Sequence, residues 1–343
     1  MHATIFAMRT LLAAALFAAC ATALPAARNL EIYSIDVEGG QATLLVTPGG
    51  DSMLIDTGWP GFNHRDADRI AAAAKAAGVK KIDYLVITHY HMDHVGGVYQ
   101  LAEKLPIVHF VDHGANTETG KQAEVLFNEY ASVRSKGEHI EVKPGDTIPV
   151  KNLDVKVLSA AGDVLAAPLP GAGQPNPACQ GVARPAANGD ENGRSIGLLI
   201  TYGSFRMLDM GDLTKDREYD LACPNNKIGT VDLFLVTHHG MNLSNSAAFV
   251  HAVSPRVAIM NNGPRKGGSP DAWQTVHDTP GLIDLWQLHY AVGSDKQHNS
   301  PDTFIANVDS DCQGQWLRVS VDREGSFTVY NSRNKFEKAY PKK

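Results

Sequence analysis

The chain has 343 residues, 43% of them hydrophobic and 20% charged, with a formal net charge of −6. That length is enough to bury a sizeable core, and the balance is that of an ordinary globular enzyme. Its basic residues are scattered, Lys80-Lys81 being only a pair. This excludes a protein that holds nucleic acid or an anionic membrane through a broad basic face, and leaves room only for a small local patch.

Arg9 precedes the apolar run Leu11 to Ala19, and small residues follow at Ala21-Thr22-Ala23. A short positive region, a short apolar stretch and an A-x-A site mark a secretory signal, so residues 1–23 are expected to be a signal peptide and the mature chain to be periplasmic or secreted. The run is too short for a permanent membrane span, and no later stretch is long and apolar enough for one. A buried N-terminal helix is disfavoured because the segment has no polar face. Phe17-Ala18-Ala19-Cys20 also resembles a lipobox with Phe17 where Leu is usual, so cleavage near Ala23 is expected in preference to lipidation at Cys20. Three cysteines then remain, and an exported compartment permits disulfides. Cys179 and Cys223 both lie in loop-like sequence and are expected to pair, leaving Cys312 free.

Strands are predicted over Leu30–Ile35, Ala42–Val46 and Met53–Ile55, the last two separated by a turn at Pro48-Gly49-Gly50. Asp66–Ala77 is an alanine-rich helix stopped by Gly78. Ile82–Thr88 is a short apolar strand followed by a helix over Val95–Leu105. Further along, Ile107–Val111 reads as strand, Lys121–Ser135 as helix and Asp154–Leu158 as strand. Residues 160–194 are rich in Ala, Pro and Gly, and read as one loop insertion. Strands resume at Ile196–Tyr202, Arg206–Asp209 and Val231–Val236, and Trp316–Tyr330 is a closing hairpin around Arg323-Glu324-Gly325. Strands and helices alternate with no break in composition, which predicts a single layered α/β domain over about 28–335.

The segment Thr88-His89-Tyr90-His91-Met92-Asp93-His94 places three histidines and an aspartate within six residues, directly after an apolar strand. Imidazole nitrogen and carboxylate oxygen both suit zinc, which takes four ligands and in catalytic sites leaves one position to water. His89 and His91 can point the same way from an extended loop. Asp93 and His94 begin the next helix, where a carboxylate suits the N-terminus, and Gly96-Gly97 lets backbone pack closely behind them. A solvated histidine-rich turn is the plainer alternative, disfavoured once the later histidines and aspartates are counted. Gly39-Gly40 and Gly267-Gly268 lack the pattern of a phosphate-binding loop and read as turns.

H-x-H-x-D-H after a buried strand resembles the signature of the metallo-β-lactamase superfamily. Leu54-Ile55-Asp56-Thr57-Gly58, Met210-Gly211-Asp212 and Thr237-His238-His239-Gly240 resemble its later motifs, in the expected chain order. Asp36-Val37-Glu38-Gly39-Gly40-Gln41-Ala42, and the Ser-containing sequence after His239-Gly240, are similar to the hydrolase domain of DNA-uptake competence proteins. The resemblance runs from about residue 31 to 262. It implies an αββα four-layer sandwich with two zinc ions at the strand ends. His89 and His91 would bind the first, Asp93 and His94 the second, and Asp212 would bridge them. One of His238 and His239 would complete the second position; the reading favours His238 as ligand and leaves His239, with Asp93, for catalysis.

The pattern departs from many relatives in one respect. Upstream of Asp212 the chain reads Asp190-Glu191-Asn192-Gly193-Arg194-Ser195, with no histidine to complete the first metal. Asn192 and Ser195 stand there as weak metal or substrate candidates, whereas His109, His113 and His139 read as ordinary strand or loop histidines. Trp286-Gln287-Leu288-His289-Tyr290 and His298 are assigned to packing rather than to the site.

The chemistry these residues imply is hydrolysis by a metal-activated hydroxide, with a small molecule or a phosphodiester as substrate. The competence resemblance favours the phosphodiester. Lactone or β-lactam hydrolysis, and a non-catalytic metal-binding protein of the same fold, are the alternatives, since fold does not settle function. A di-iron oxidoreductase is disfavoured because no carboxylate-rich ligand set or flavin partner domain is visible.

Overall fold

Strand side chains alternate between faces, and in this chain the alternation sorts the apolar residues into three separate cores. In a computed structural model, residues 29–309 and 311–343 are described; the expected signal segment and Cys20 lie outside them. Leu45, Met53, Ile55 and Val86 face one core together with Leu198, Ile200, Leu235 and Ile259. Their chain neighbours Leu44, Leu54 and Leu85 face a second, against Ala67, Ile70 and Tyr130. Leu199, Leu208, Phe234 and Ala258 face a third, against Leu221, Phe249 and Val276. Three cores separate four layers, so the fold is the expected αββα sandwich.

Among the described residues each sheet has nine strands. The first runs from Glu337–Tyr340 through Phe327–Asn331, Leu317–Val321, Leu30–Ser34, Thr43–Val46, Ser52–Ile55, Ile82–Val86 and Ile107–Asp112 to Glu138–Glu141. The second runs from Ile305–Asn307 through Asp284–His289, Val257–Met260, Leu233–Leu235, Phe205–Asp209, Gly197–Tyr202 and Asp154–Ala160 to Thr147–Ile148, with Asp163–Val164 added on Asp154–Ala160. Helices Arg65–Ala76, Val98–Ala102 and Lys121–Arg134 cover the first sheet, and Lys215–Ala222, Ala247–Val253 and Pro270–His277 the second. No helix among the described residues is long and apolar enough to cross a membrane.

Several elements differ from the sequence reading. The helix expected over Val95–Leu105 is two short ones, Met92–Val95 and Val98–Ala102. Gly96 and Gly97 lie between them, where a Cβ would collide with the Met92 and Thr57 carbonyl oxygens respectively. The closing hairpin forms, but it continues into Glu337–Tyr340 and pairs back onto Leu30–Ser34, so the C-terminal segment joins the first sheet. The Ala/Pro/Gly-rich stretch carries the short strand Asp163–Val164 and a turn at Pro177–Cys179. Cys179 and Cys223 form the expected disulfide, and among the described residues Cys312 has no disulfide partner. Strands Val257–Met260, Asp284–His289 and Ile305–Asn307 and the helices over the second sheet were not anticipated. Their strands are short and mostly buried, and carry little of the polar alternation that marks a half-exposed strand.

Candidate metal centre

The parallel strands of the two sheets deliver the site residues in the turns that follow them. Asp56 follows Ser52–Ile55, His89 to His94 follow Ile82–Val86, Asp212 follows Phe205–Asp209, and His238-His239 follow Leu233–Leu235. The last two turns are tied together, the His238 amide donating to the Gly211 carbonyl at 2.9 Å. His238 and His239 both adopt left-handed backbone, with φ of 56° and 54°. Conformations this sparse cost about 1–3 kcal/mol each and persist where surroundings over-determine them. Here Asn245 Nδ2 donates to the Thr237 carbonyl, and Glu218 accepts from the Asn245 and Ser246 amides. Burial, opposed by those amides, pushes the Glu218 carboxyl up to about 7.

Four buried side chains, Asp93, His94, Asp212 and His239, converge on one point. Asp93 Oδ2 lies 3.2 Å from both His94 Nε2 and His239 Nε2, and those two nitrogens are 3.2 Å apart. Asp212 Oδ2 is 3.2 Å from His94 Nε2, and its Oδ1 is 3.3 Å from His239 Nε2. Metal–ligand bonds of about 2.0–2.1 Å in tetrahedral arrangement place ligand atoms about 3.3 Å apart, so these residues fit a divalent metal. Among the described residues, Asp212 Oδ1 is buried without a hydrogen-bond donor, a costly state for a carboxylate unless a cation faces it.

The remaining expected residues fall around this group. His89 is buried, with Nε2 3.0 Å from His91 Nδ1 and 4.0 Å from Asp212 Oδ2. His91 stands at the rim, 3.4 Å from Glu118. His238 Nε2 reaches Asp212 Oδ2 at 3.3 Å, but His238 is outside the four-residue group. Its Nδ1 donates to Ser244 Oγ, whose own proton goes to the Leu213 carbonyl. The structure therefore turns His239, and not His238, into the ligand-spaced cluster. Asn192 is buried with its Oδ1 unpartnered among the described residues, while Ser195 Oγ accepts the Asp212 amide and so positions the aspartate.

Protonation follows from burial and charge. Burial, helped by the charge of His94, pushes His89 well below its ordinary value, and burial takes His238 down to about 4. Both imidazoles are thus neutral at pH 7 and offer a lone pair. His94 goes the other way: burial opposes its charge, but Asp212, Asp93 and Asp56 hold it well above the ordinary histidine value. Burial also works against the charge on Asp93 and Asp212, yet the histidines facing them keep both well below the carboxylate range.

Two supporting residues set the tautomers. Asp56 Oδ2 accepts from His94 Nδ1 and from Thr88 Oγ1, both at 2.7 Å. Thr88 Oγ1 in turn accepts from His89 Nδ1 at 3.1 Å. Each arrangement leaves Nε2 facing the site. Lys266 escaped the sequence reading altogether. Its Nζ contacts Asp93 Oδ2, and only a Gly-rich turn at Gly267-Gly268 marked its surroundings. Gly39-Gly40 is likewise a turn with a use, because a Cβ at Gly40 would collide with the Asp93 carbonyl oxygen.

Residues 36–175 match the family described as the metallo-beta-lactamase superfamily. With the motif order and the four-layer fold, this match supports a metallo-β-lactamase superfamily protein, and the relatives it resembles include competence proteins. It is 29% identical over 191 residues to ComE operon protein 3 of Bacillus subtilis (strain 168), a match covering 55% of this chain and 21% of that protein. It is 27% identical over 229 residues to competence protein ComA of Neisseria gonorrhoeae, covering 66% of this chain and 26% of that protein. The matched region thus spans about a fifth to a quarter of these relatives. A solved structure of CmlA, a diiron beta-hydroxylase from Streptomyces venezuelae, is 14% identical with a TM-score of 0.40, covering 76% of this chain and 48% of that one.

Proposed function

We propose that the chain is an exported, zinc-dependent hydrolase acting on a phosphodiester or a related ester. The observation that carries this reading is the set of four buried ligand atoms at tetrahedral spacing, Asp93, His94, Asp212 and His239. In this assignment those residues hold one metal. His89 and His91, with Asp212, would hold a second if one binds, and Asn192 remains the candidate to add a protein oxygen there. Bound zinc supplies Lewis acidity, lowering the pKa of a water towards about 7 and polarising the oxygen of the scissile group.

The protein's own groups orient and enclose. Asp56 and Thr88 fix the ring planes of His94 and His89, Ser195 fixes the Asp212 backbone, and the fold keeps the cluster out of bulk water. His238, with Nδ1 committed to Ser244, presents Nε2 as a neutral acceptor beside the ligand group. It takes the substrate-side role first expected of His239. Likeness to the competence relatives supports a phosphodiester, while the net charge of −6 favours a small substrate over an extended nucleic acid. The Cys179–Cys223 disulfide suits an oxidising compartment, and N-terminal sequencing of mature protein should begin near residue 24.

The test is metal analysis of the mature protein together with turnover of bis(p-nitrophenyl) phosphate, a lactone and a cephalosporin. Zinc retention and hydrolysis of the phosphodiester are expected, both lost in Asp93→Ala. An Asp93→Ala protein that kept metal and activity would sink the assignment. Turnover of the lactone or cephalosporin alone would move the substrate class.

A further inference from the structure

Lys266 sits where a cation is needed and where a second cation is to arrive. Its Nζ contacts Asp93 Oδ2, the same oxygen that lies 3.2 Å from His94 Nε2 and from His239 Nε2. The ammonium is thus bonded to one of the four ligand-spaced atoms of the metal group.

The backbone carrying it is firmly placed. The Gly263 amide donates to the Lys266 carbonyl at 2.8 Å, and the Gly268 amide to the His239 carbonyl at 2.9 Å. A Cβ at Gly267 would collide with the His239 carbonyl oxygen. The side chain, by contrast, keeps a way out: it is 28% exposed and its Nζ lies 5.2 Å from the Trp59 ring centroid, a cation–π distance.

An ammonium and a divalent metal on one carboxylate oxygen repel each other at short range in a poorly screened site. A bound metal would gain four ligands where the ammonium has one, so the ammonium would be the group displaced. A flexible four-carbon stem then carries it toward the rim, where an anionic substrate oxygen would need a donor. We propose that Lys266 is the anion-recognition residue of this site: it neutralises Asp93 in the metal-free protein and is freed by metal to bind an anionic oxygen of the substrate. This rests on the metal-dependent hydrolase reading and narrows its substrate class to anionic esters.

The experiment uses binding alone. Zinc is titrated into metal-free wild type and Lys266→Met against a chromophoric chelator, and inorganic phosphate is then titrated calorimetrically into the zinc-loaded proteins. Lys266→Met is expected to bind zinc about tenfold more tightly and phosphate at least about tenfold more weakly, the scale of one hydrogen bond to a charged group. Lys266→Arg should restore the phosphate affinity. Zinc affinity unchanged or weakened in Lys266→Met overturns the proposal, as does unchanged phosphate affinity. Because neither titration needs turnover, the expected binding pattern in a protein inert to every ester would defeat the hydrolase reading and leave Lys266's role standing. A wild type that takes up no zinc defeats both.

Discussion

Asp56 has a left-handed backbone, with φ of 61°, and accepts three hydrogen bonds: from His94 Nδ1, Thr88 Oγ1 and the Thr88 amide. Its work is to fix one imidazole rather than to bind metal itself. Replacing it with Asn can keep a carbonyl oxygen for the Thr88 amide but puts an NH2 donor where His94 Nδ1 and Thr88 Oγ1 both need an acceptor. Asp56→Asn is expected to lower zinc affinity by about 10–100-fold, measured by chelator competition with circular dichroism as the check on folding. His94 also sets a pH dependence. Three carboxylates, against burial, hold its pKa well above the ordinary histidine value, so at pH 7 the metal-free residue keeps a proton that a metal must expel. Zinc affinity should therefore rise with pH between 6 and 8, with proton release detectable in two buffers of different ionisation enthalpy. A flat profile would show that His94 binds metal without losing a proton.

The break between Met92–Val95 and Val98–Ala102 is an element with a function. Gly97 stands against the Thr57 carbonyl oxygen, and Thr57 is bonded through both its amide and Oγ1 to the His94 carbonyl. A methyl group at Gly97 pushes on the segment that holds His94. Gly97→Ala is expected to destabilise the protein by about 1–3 kcal/mol and to weaken zinc binding as well, read by urea denaturation and by the same competition assay. The glycine pair was legible as a place of close packing, since glycine is the residue that allows backbone approach. Its splitting of a helix was not, because the Thr57 carbonyl comes from a strand end some forty residues away in the chain.

The whole molecule stands on the core between the sheets. Trp286 is fully buried there, its Nε1 donating to Tyr340 Oη at 3.0 Å and its ring meeting Phe304 edge-on at 4.7 Å. It joins the second sheet to a strand of the first, as packing and not as part of a substrate pocket. Trp286→Ala should cost about 3–5 kcal/mol in chemical denaturation. Zinc affinity of the remaining folded protein should stay near that of wild type, because the site hangs on the strand ends. A large loss of affinity without unfolding would show that the core and the site are coupled.

Local patterns carried much of the way. His89, His91, Asp93 and His94 were legible because three histidines and an aspartate fall within six residues after an apolar strand, and Asp56 and Asp212 because each lies in a stretch that resembles a superfamily motif. Strand alternation and helix stops likewise depend on near neighbours, so the first half of the sandwich could be read in order. Tertiary structure decided the rest. Whether His238 or His239 faces the ligand group depends on a left-handed turn held by Asn245, Glu218 and Gly211, and two adjacent histidines look alike in sequence. The contact of Lys266 with Asp93 spans 173 residues, and no spacing rule reaches across that distance; it exists because two strand ends from different sheets meet at one edge of the sandwich.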